Sequence, residues 1–191
     1  MTGTRGKLVV ISGPSGAGKT SVCRALKQHP EVEFSVSATT RERRRGEVDG
    51  ADYHFLSRDD FQRRLGENQF LEWASYNGNL YGTPRWPMDA ALARGRVFLV
   101  EIEVKGTRQL RERGVEGLYV FIAPPSIDEL RRRLERRGSN EAAEIDARVA
   151  IAVDEIAAAK ESVGGRALYD VTLVNDDLQA TIRAVEALLW P

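Results

Sequence analysis

The stretch GPSGAGKT, residues 13–20, directly follows the apolar run LVVI at residues 8–11. Three glycines in eight positions suit neither a helix nor a strand, so this stretch predicts a loop between a buried strand and a helix. It fits the pattern G-x-x-x-x-G-K-[ST], in which glycines let successive backbone N–H groups turn towards a phosphate at the N-terminus of the next helix. The stretch therefore predicts a nucleotide-phosphate loop (the P-loop), formed by Gly13, Pro14, Ser15, Gly16, Ala17, Gly18, Lys19 and Thr20.

Apolar runs and helical patterns alternate along the rest of the chain. After residues 7–12, apolar or alternating runs occur at 34–38, 97–104, 118–123 and 170–175. A helix is expected at 19–28, and apolar residues repeat at helical spacing in three later segments: Ile127, Leu130 and Leu134; Ile145, Val149, Ala152 and Ile156; and Leu178, Ile182, Val185 and Leu189. Strands that alternate with helices predict an α/β fold with a parallel sheet flanked by helices.

Two segments interrupt this alternation. Residues 37–83 hold short alternating runs rich in Thr, Arg, Gly, Tyr and Asn, which predicts an inserted, mixed β-rich subdomain. Residues 137–148 carry a polar run that suits a flap between two helices. We therefore expect one domain over residues 1–191, with a core at 1–36, 84–136 and 149–191. A loop extension is expected at Gly164 and Gly165, before the last strand.

Composition excludes several classes of function. The 28 basic and 28 acidic residues balance, which argues against nucleic acid as a partner. The sequence has no run of 18 apolar residues to cross a membrane, and its first residues, MTGTRGK, lack a hydrophobic signal core, so we expect a cytoplasmic protein. One cysteine excludes an internal disulfide, and two histidines are too few for a histidine zinc cluster. Cys23 is expected to be a small buried residue and not a nucleophile.

The P-loop alone fits GTPases, motor ATPases and small kinases. In each of these, Lys19 would reach the outer phosphates and the Thr20 hydroxyl would bind Mg²⁺. A GTPase would carry a guanine-reading motif such as N-K-x-D, which the sequence lacks. A small kinase needs an acceptor site and arginines that neutralise two meeting phosphate groups, and arginines cluster at 41–47 and 131–138.

The segment SATTRERRRGEVDGADYHF at 37–55, followed by FLEWASYNGNLYGTPR at 70–85, resembles the guanylate kinase family. The family signatures T-T-R, R-x-G-E, G-x-D-Y, F-x-E-W and Y-G-T are all met in order, and the likeness continues through FIAPPS, RRLERRG and VNDD to cover roughly residues 7–190. The resemblance implies a P-loop kinase fold in which the inserted subdomain binds GMP and the flap is a helical lid.

The resemblance assigns the acceptor site to residues whose chemistry suits GMP. Guanine presents two adjacent donors, N1–H and its amine, which one carboxylate can accept, while a hydroxyl donates to O6. Such a buried polar site rejects a wrong base because that base leaves the site's polar groups unpaired. The family pattern gives guanine recognition to Glu72, Ser37, Thr83 and Glu103, and recognition of the GMP phosphate to Arg41, Arg44, Tyr53 and Tyr81.

The donor site implied by the resemblance differs from the family at one strand end. The family usually has D-I-D where this chain has Glu101 and Glu103, each longer by one methylene. By resemblance, Glu101 serves Mg²⁺ through water together with Thr20, and Glu103 lies near the guanine amine. Asn175 matches a position near the donor adenine. The catalytic cations implied are Lys19, Arg41, Arg137 and Arg148.

Taken together, these features predict an enzyme that transfers the γ-phosphoryl group of ATP to GMP or dGMP with the help of Mg²⁺. GMP and ATP are then its small-molecule partners, with no nucleic acid or membrane partner. Two alternatives stay open. One is a catalytically weak guanylate-kinase-like module that binds proteins, and the other is a related P-loop kinase that phosphorylates a ribose phosphate.

Overall fold

The computed structural model describes residues 6–136 and 142–190. The described elements follow in the order β1 (Lys7–Ser12), α1 (Lys19–Leu26), β2 (Val32–Phe34), β3 (Ala38–Thr39), β4 (His54–Phe55), α2 (Arg58–Gly66), β5 (Phe70–Tyr76), β6 (Asn79–Pro84), α3 (Trp86–Ala93), β7 (Val97–Glu101), α4 (Val104–Glu112), β8 (Leu118–Ala123), α5 (Ile127–Arg136), α6 (Ala142–Ala158), β9 (Ser162–Val163), β10 (Arg166–Ala167), β11 (Val171–Val174) and α7 (Leu178–Leu189).

A five-stranded parallel sheet in the order β11-β8-β1-β7-β2 forms the centre of the fold. Its middle strand is β1, whose apolar run is buried because both faces of a parallel sheet are covered. Successive side chains point to opposite faces, so Val10 belongs to one core cluster and Val9 and Ile11 to the other. The predicted α/β architecture is confirmed, and the strands expected at 7–12 and 118–123 have those bounds.

A second, four-stranded sheet in the order β4-β3-β6-β5 is mixed. Strand β3 pairs parallel with β4 and antiparallel with β6, and β5 pairs antiparallel with β6. Helix α2 covers this sheet, with the Phe61 and Phe70 rings stacked at a centroid distance of 4.3 Å. The mixed β-rich insertion is therefore confirmed. Helix α2 was not predicted, although Ser57 supplies an N-cap by accepting a hydrogen bond from the Asp60 N–H.

Three other expectations need correction. The run at 34–38 is not one strand: the Ser35 N–H still bonds to Leu99 O of the central sheet, but Ala38 already pairs with Gly82 of the second sheet. The run at 97–104 ends as a strand at Glu101, and Glu103 is the N-cap of α4. The Gly164-Gly165 extension is the turn of the hairpin β9–β10, and both glycines have the positive φ that such turns require. Helices α3 and α4 were not predicted.

Helices α5 and α6 pack together on the side of the fold next to the P-loop. Leu130 and Leu134 of α5 meet Ile145, Val149 and Ala152 of α6 in a separate core cluster, as the helical spacing predicts. Residues 137–141 lie outside the described residues. Among residues 6–136 and 142–190, none of the helices is long and apolar enough to cross a membrane.

Candidate active site

The P-loop joins β1 to α1 through glycines in the left-handed region. Gly13, Gly16 and Gly18 have φ values of 143°, 88° and 99°, which other residues adopt only with strain. Helix α5 packs directly against the loop, since a Cβ at Gly16 would lie 3.0 Å from Leu130 Cδ1. The loop thus leads into the N-terminus of α1, whose first backbone N–H groups lack partners within the helix and suit an anion.

Lys19 is folded back over this loop. Its Nζ donates to Gly13 O at 2.6 Å and to Pro14 O at 3.0 Å. Burial lowers the pKa of Lys19, and the negative charge of Glu101 opposes that shift. A phosphate that replaced the two carbonyls would compensate the buried ammonium more fully, because it carries negative charge.

Thr20 and Glu101 meet beside the loop. The Thr20 hydroxyl donates to Glu101 Oε1 at 2.7 Å, which joins α1 to the end of β7. Both groups offer hard oxygen ligands of the kind that Mg²⁺ takes, usually together with waters and substrate phosphates. Within the described ranges no group of three or more His, Cys, Asp or Glu side chains could hold a metal by itself. The donor set therefore fits a Mg²⁺ ion shared with a nucleotide.

Asn175 is attached to the P-loop backbone. Its side chain is buried, and Nδ2 donates to Ala17 O at 2.7 Å while Oδ1 accepts from the Thr181 hydroxyl at 3.2 Å. The backbone N–H of Asn175 bonds to Ala123 O at 2.8 Å. The sequence placed this residue near the donor adenine, and that contact stays a prediction. The hydrogen bond to the loop is a second role that sequence reasoning missed.

Glu72 and Thr83 face each other on β5 and β6. The Thr83 hydroxyl donates to Glu72 Oε1 at 2.6 Å, and Thr83 is buried. Burial raises the pKa of Glu72, an effect that the hydrogen bonds from Thr83 oppose and the charge of Glu103 adds to. A half-buried carboxylate with one oxygen held by a hydrogen bond has the character expected of a base-reading group.

Ser37 and Glu103 lie on segments that lead into this region. Ser37 is half-buried just before β3, and its carbonyl accepts from the His54 N–H at 2.8 Å. Glu103 is exposed at the start of α4. The charge of Glu103 acts to raise the pKa of both Glu72 and Lys19.

Arg41, Tyr53 and Tyr81 come together on the second sheet. The Arg41 guanidinium carbon lies 5.5 Å from the Tyr53 ring centroid, and the Tyr53 and Tyr81 rings meet edge to face at 6.2 Å. The three side chains form a cationic and hydroxyl-bearing cluster, which suits a phosphate.

Glu47 organises the arginine segment next to that cluster. One of its oxygens accepts from Arg41 Nη2 and the other from the backbone N–H of Arg44, both at 2.7 Å. This bond to Glu47 raises the pKa of Arg41. The Arg44 side chain is exposed beside it. The sequence gave Glu47 no role, although it ends the R-x-G-E signature.

The structure describes one of the two predicted lid arginines. Arg148 lies on α6, where its Nη2 pairs with Glu144 Oε1 at 2.7 Å, one helical turn away. Arg137 lies outside the described residues. Further along α6, burial raises the pKa of Glu155 to about 6, a shift that the charge of Lys19 opposes. Sequence reasoning gave Glu155 no role.

A P-loop on a parallel sheet, together with a separate sheet that bears a half-buried carboxylate and a phosphate-type cluster, defines a P-loop kinase. The family model "Guanylate kinase" matches residues 5–191. A guanylate kinase of Carboxydothermus hydrogenoformans is 45% identical over 186 residues, which cover 97% of this chain and 88% of that protein. One from Synechococcus elongatus is 46% identical over 186 residues, with 97% and 98% covered.

A solved structure gives the same result. The crystal structure of guanylate kinase from Anaplasma phagocytophilum superposes with a TM-score of 0.70 at 30% identity, covering 97% of this chain and 85% of that chain. This chain belongs to the guanylate kinase family.

Proposed function

We propose that this chain is an ATP:GMP phosphotransferase, which converts ATP and GMP to ADP and GDP and also accepts dGMP. The observation that carries the proposal is the half-buried Glu72 carboxylate, held by the Thr83 hydroxyl, on a different sheet from an intact P-loop. The curated relatives, 40–46% identical over most of the chain, are named guanylate kinases.

The P-loop side is the donor site. The loop N–H groups and Lys19 bind the ATP phosphates, and Asn175 holds the loop by its bond to Ala17 O. Thr20 and Glu101, the latter through water, hold Mg²⁺. When bound, this ion neutralises charge that develops on the phosphate oxygens.

The second sheet is the acceptor site. Glu72 accepts from guanine N1–H and the amine, Ser37 donates to O6, and Thr83 and Glu103 complete the site around the base. Arg41 and the side chains beside it neutralise the GMP phosphate. We assign residues 37–83 to this acceptor subdomain, residues 137–148 to the lid, and the remainder to the core. The set that binds the GMP phosphate is Arg41, Arg44, Tyr53 and Tyr81.

The transfer itself is a direct in-line displacement. A phosphate oxygen of GMP forms a bond to the γ-phosphorus of ATP while the bond from that phosphorus to the β–γ bridging oxygen breaks, and the electron pair leaves with ADP. No covalent enzyme intermediate is needed, so the protein contributes positioning and positive charge. The cations that supply this charge are Lys19, Arg41, Arg137 and Arg148.

The two alternative functions are less well supported. A protein-binding module would not need a lysine held over the phosphate loop, yet Lys19 is there. A kinase for a ribose phosphate would have no use for a half-buried carboxylate that reads a base edge.

The decisive experiment measures ADP formation from ATP and Mg²⁺ with GMP, AMP, UMP or no acceptor. We expect turnover only with GMP, accompanied by GDP. ADP formation without any acceptor would mean that the chain is an ATPase. No turnover in any reaction, with ATP binding intact, would favour the module or the ribose-phosphate kinase.

A further inference from the structure

Side-chain hydrogen bonds connect helix α4 of the core to strand β5, which carries Glu72. The Gln109 side chain makes two hydrogen bonds to the backbone of Trp73, accepting from its N–H at 3.2 Å and donating to its carbonyl at 2.9 Å. Four residues further on, Arg113 Nη1 donates to Phe70 O and Leu71 O, both at 3.0 Å. The strand is therefore held to α4 on both sides of Glu72.

Gly106 is the α4 residue that faces the Glu72 side chain. A Cβ at Gly106 would lie 3.2 Å from Glu72 Cγ and Oε2 and 3.3 Å from Cδ, closer than side chains normally approach. Because Glu72 Oε1 accepts from the Thr83 hydroxyl at 2.6 Å, the carboxylate can move aside only by lengthening or bending that bond. Glycine weakens the interior of a helix, so its presence at this buried position needs a reason other than helix stability.

We propose that Gly106 is a specificity-determining position for the acceptor nucleotide, with Gln109 as a positioning residue. The missing side chain of Gly106 leaves the space that the Glu72 carboxylate occupies, and Gln109 fixes the strand at the next residue. This inference rests on the proposed binding of guanine by Glu72. A carboxylate that accepts from two adjacent donors tolerates little displacement, because a misplaced oxygen leaves a buried donor unpaired.

The test compares Gly106→Ala with Gly66→Ala. Gly66 is also helical, but a Cβ there would have no neighbour within 4 Å, so G66A is the matched control. Calorimetry would give the Kd values of the wild type and each variant for GMP and for a non-hydrolysable ATP analogue. We expect G106A to bind GMP about tenfold more weakly, the loss of one hydrogen bond. The affinity for the ATP analogue should not change, and G66A should bind both as the wild type does.

A double variant separates this role from a general packing effect. Glu72→Ala removes the side chain that Gly106 accommodates, so adding G106A to E72A should cost no further GMP turnover and should raise Tm above that of E72A. Further loss in both quantities would overturn the inference, since Gly106 would then act on something other than Glu72.

Gln109→Ala gives a second, independent variant, with the exposed Gln28→Ala as its control. We expect Q109A to raise KM for GMP while KM for ATP stays the same. If the wild type binds GMP but G106A and Q109A bind it equally well, the inference fails and the proposed function stands. If the wild type itself does not bind GMP, the proposed function fails.

Discussion

The Thr20 hydroxyl and the Glu101 carboxylate are 2.7 Å apart, although they come from positions 81 residues apart in the sequence. One lies in the first turn of α1 and the other at the end of β7, and the pairing of β1 with β7 brings them together. The first turn of the helix after the phosphate loop is thereby joined to the neighbouring strand of the central sheet.

Glu101→Gln is expected to weaken the use of Mg²⁺. The amide keeps an oxygen for the Thr20 hydroxyl but loses the negative charge, so we expect the Mg²⁺ concentration for half-maximal turnover to rise about 10- to 100-fold. Turnover titrated with Mg²⁺, together with the Kd for GMP, checks this. Glu112→Gln, an exposed change on α4, should leave the titration as in the wild type. An unchanged Mg²⁺ requirement in E101Q would contradict the assignment.

Glu72→Ala should damage GMP use selectively. Loss of the carboxylate leaves two guanine donors without an acceptor, so kcat/KM for GMP should fall by about 10³ or more, with ATP binding nearly intact. Thr83→Val, which removes only the hydroxyl that orients Glu72, should cost about tenfold. Steady-state kinetics with each substrate varied in turn measures both effects. Equal losses for ATP and GMP would place Glu72 outside the acceptor site.

As the pH falls, GMP binding should begin to weaken at a higher pH than the ordinary pKa of a glutamate carboxyl predicts. Burial raises the pKa of Glu72, so the acceptor form is present above that raised pKa and is lost as the pH falls through it. Calorimetric titration of GMP from pH 8 downward measures this loss. Glu72→Gln, which cannot titrate, should bind weakly with a much flatter pH profile. The same decline in E72Q would assign it to another group.

Glu155→Gln should stabilise the protein at neutral pH. Burial raises the pKa of this carboxyl to about 6. The charges of Lys19 and Lys105 oppose the shift, and the charge of Glu103 adds to it. A raised pKa means that the folded state favours the protonated acid, so the Glu155 contribution is most favourable below the ordinary pKa of about 4.5 and declines as the pH rises to about 6. Because the group is partly exposed, we expect E155Q to gain only about 1 kcal/mol at pH 7.5 and nothing at pH 4.5.

Urea unfolding at the two pH values measures this gain. The exposed neighbour Asp154→Asn is the control and should show no comparable pH dependence. A gain in E155Q that is equal at both pH values would show that burial of the charge is not its cause.

Asn175→Ala separates two roles for that side chain. The change leaves Ala17 O without its buried partner, so Tm should fall and the binding of ATP and GTP should weaken alike, by about tenfold. A residue that only contacted adenine would instead weaken ATP binding and spare GTP. Competition binding of the two nucleotides tells these outcomes apart.

Local patterns predicted the parts of the fold and site that depend on neighbouring residues. The apolar run of β1 and the glycines after it specify a buried strand and a phosphate loop over a short stretch, and both are present. The segment 34–38 could not be resolved in this way, because its alternation continues while its pairing partner changes from Leu99 to Gly82. The alternating pattern therefore predicted a single strand where the structure has two strands in different sheets.

Local sequence patterns could not predict contacts between residues that are distant in the sequence. From the sequence, Gly106 is an ordinary helix-weakening glycine. The structure shows that it lies next to the side chain of Glu72, 34 positions earlier in the sequence. Asn175 likewise gains its role from Ala17, and Glu155 gains its raised pKa from burial, and both depend on the tertiary fold.

The order of strands in the central sheet has a consequence for how the protein folds. Both neighbours of β1 come late in the chain, since Val9 pairs with Leu99 and with Leu118. The second sheet uses only the contiguous segment 38–84. Loop-closure entropy disfavours pairing between distant segments. During synthesis, the second sheet can therefore assemble before β7 and β8 are available to pair with β1. Until they arrive, the apolar β1 is an aggregation hazard, and the folding rate should depend on how soon β7 docks against it.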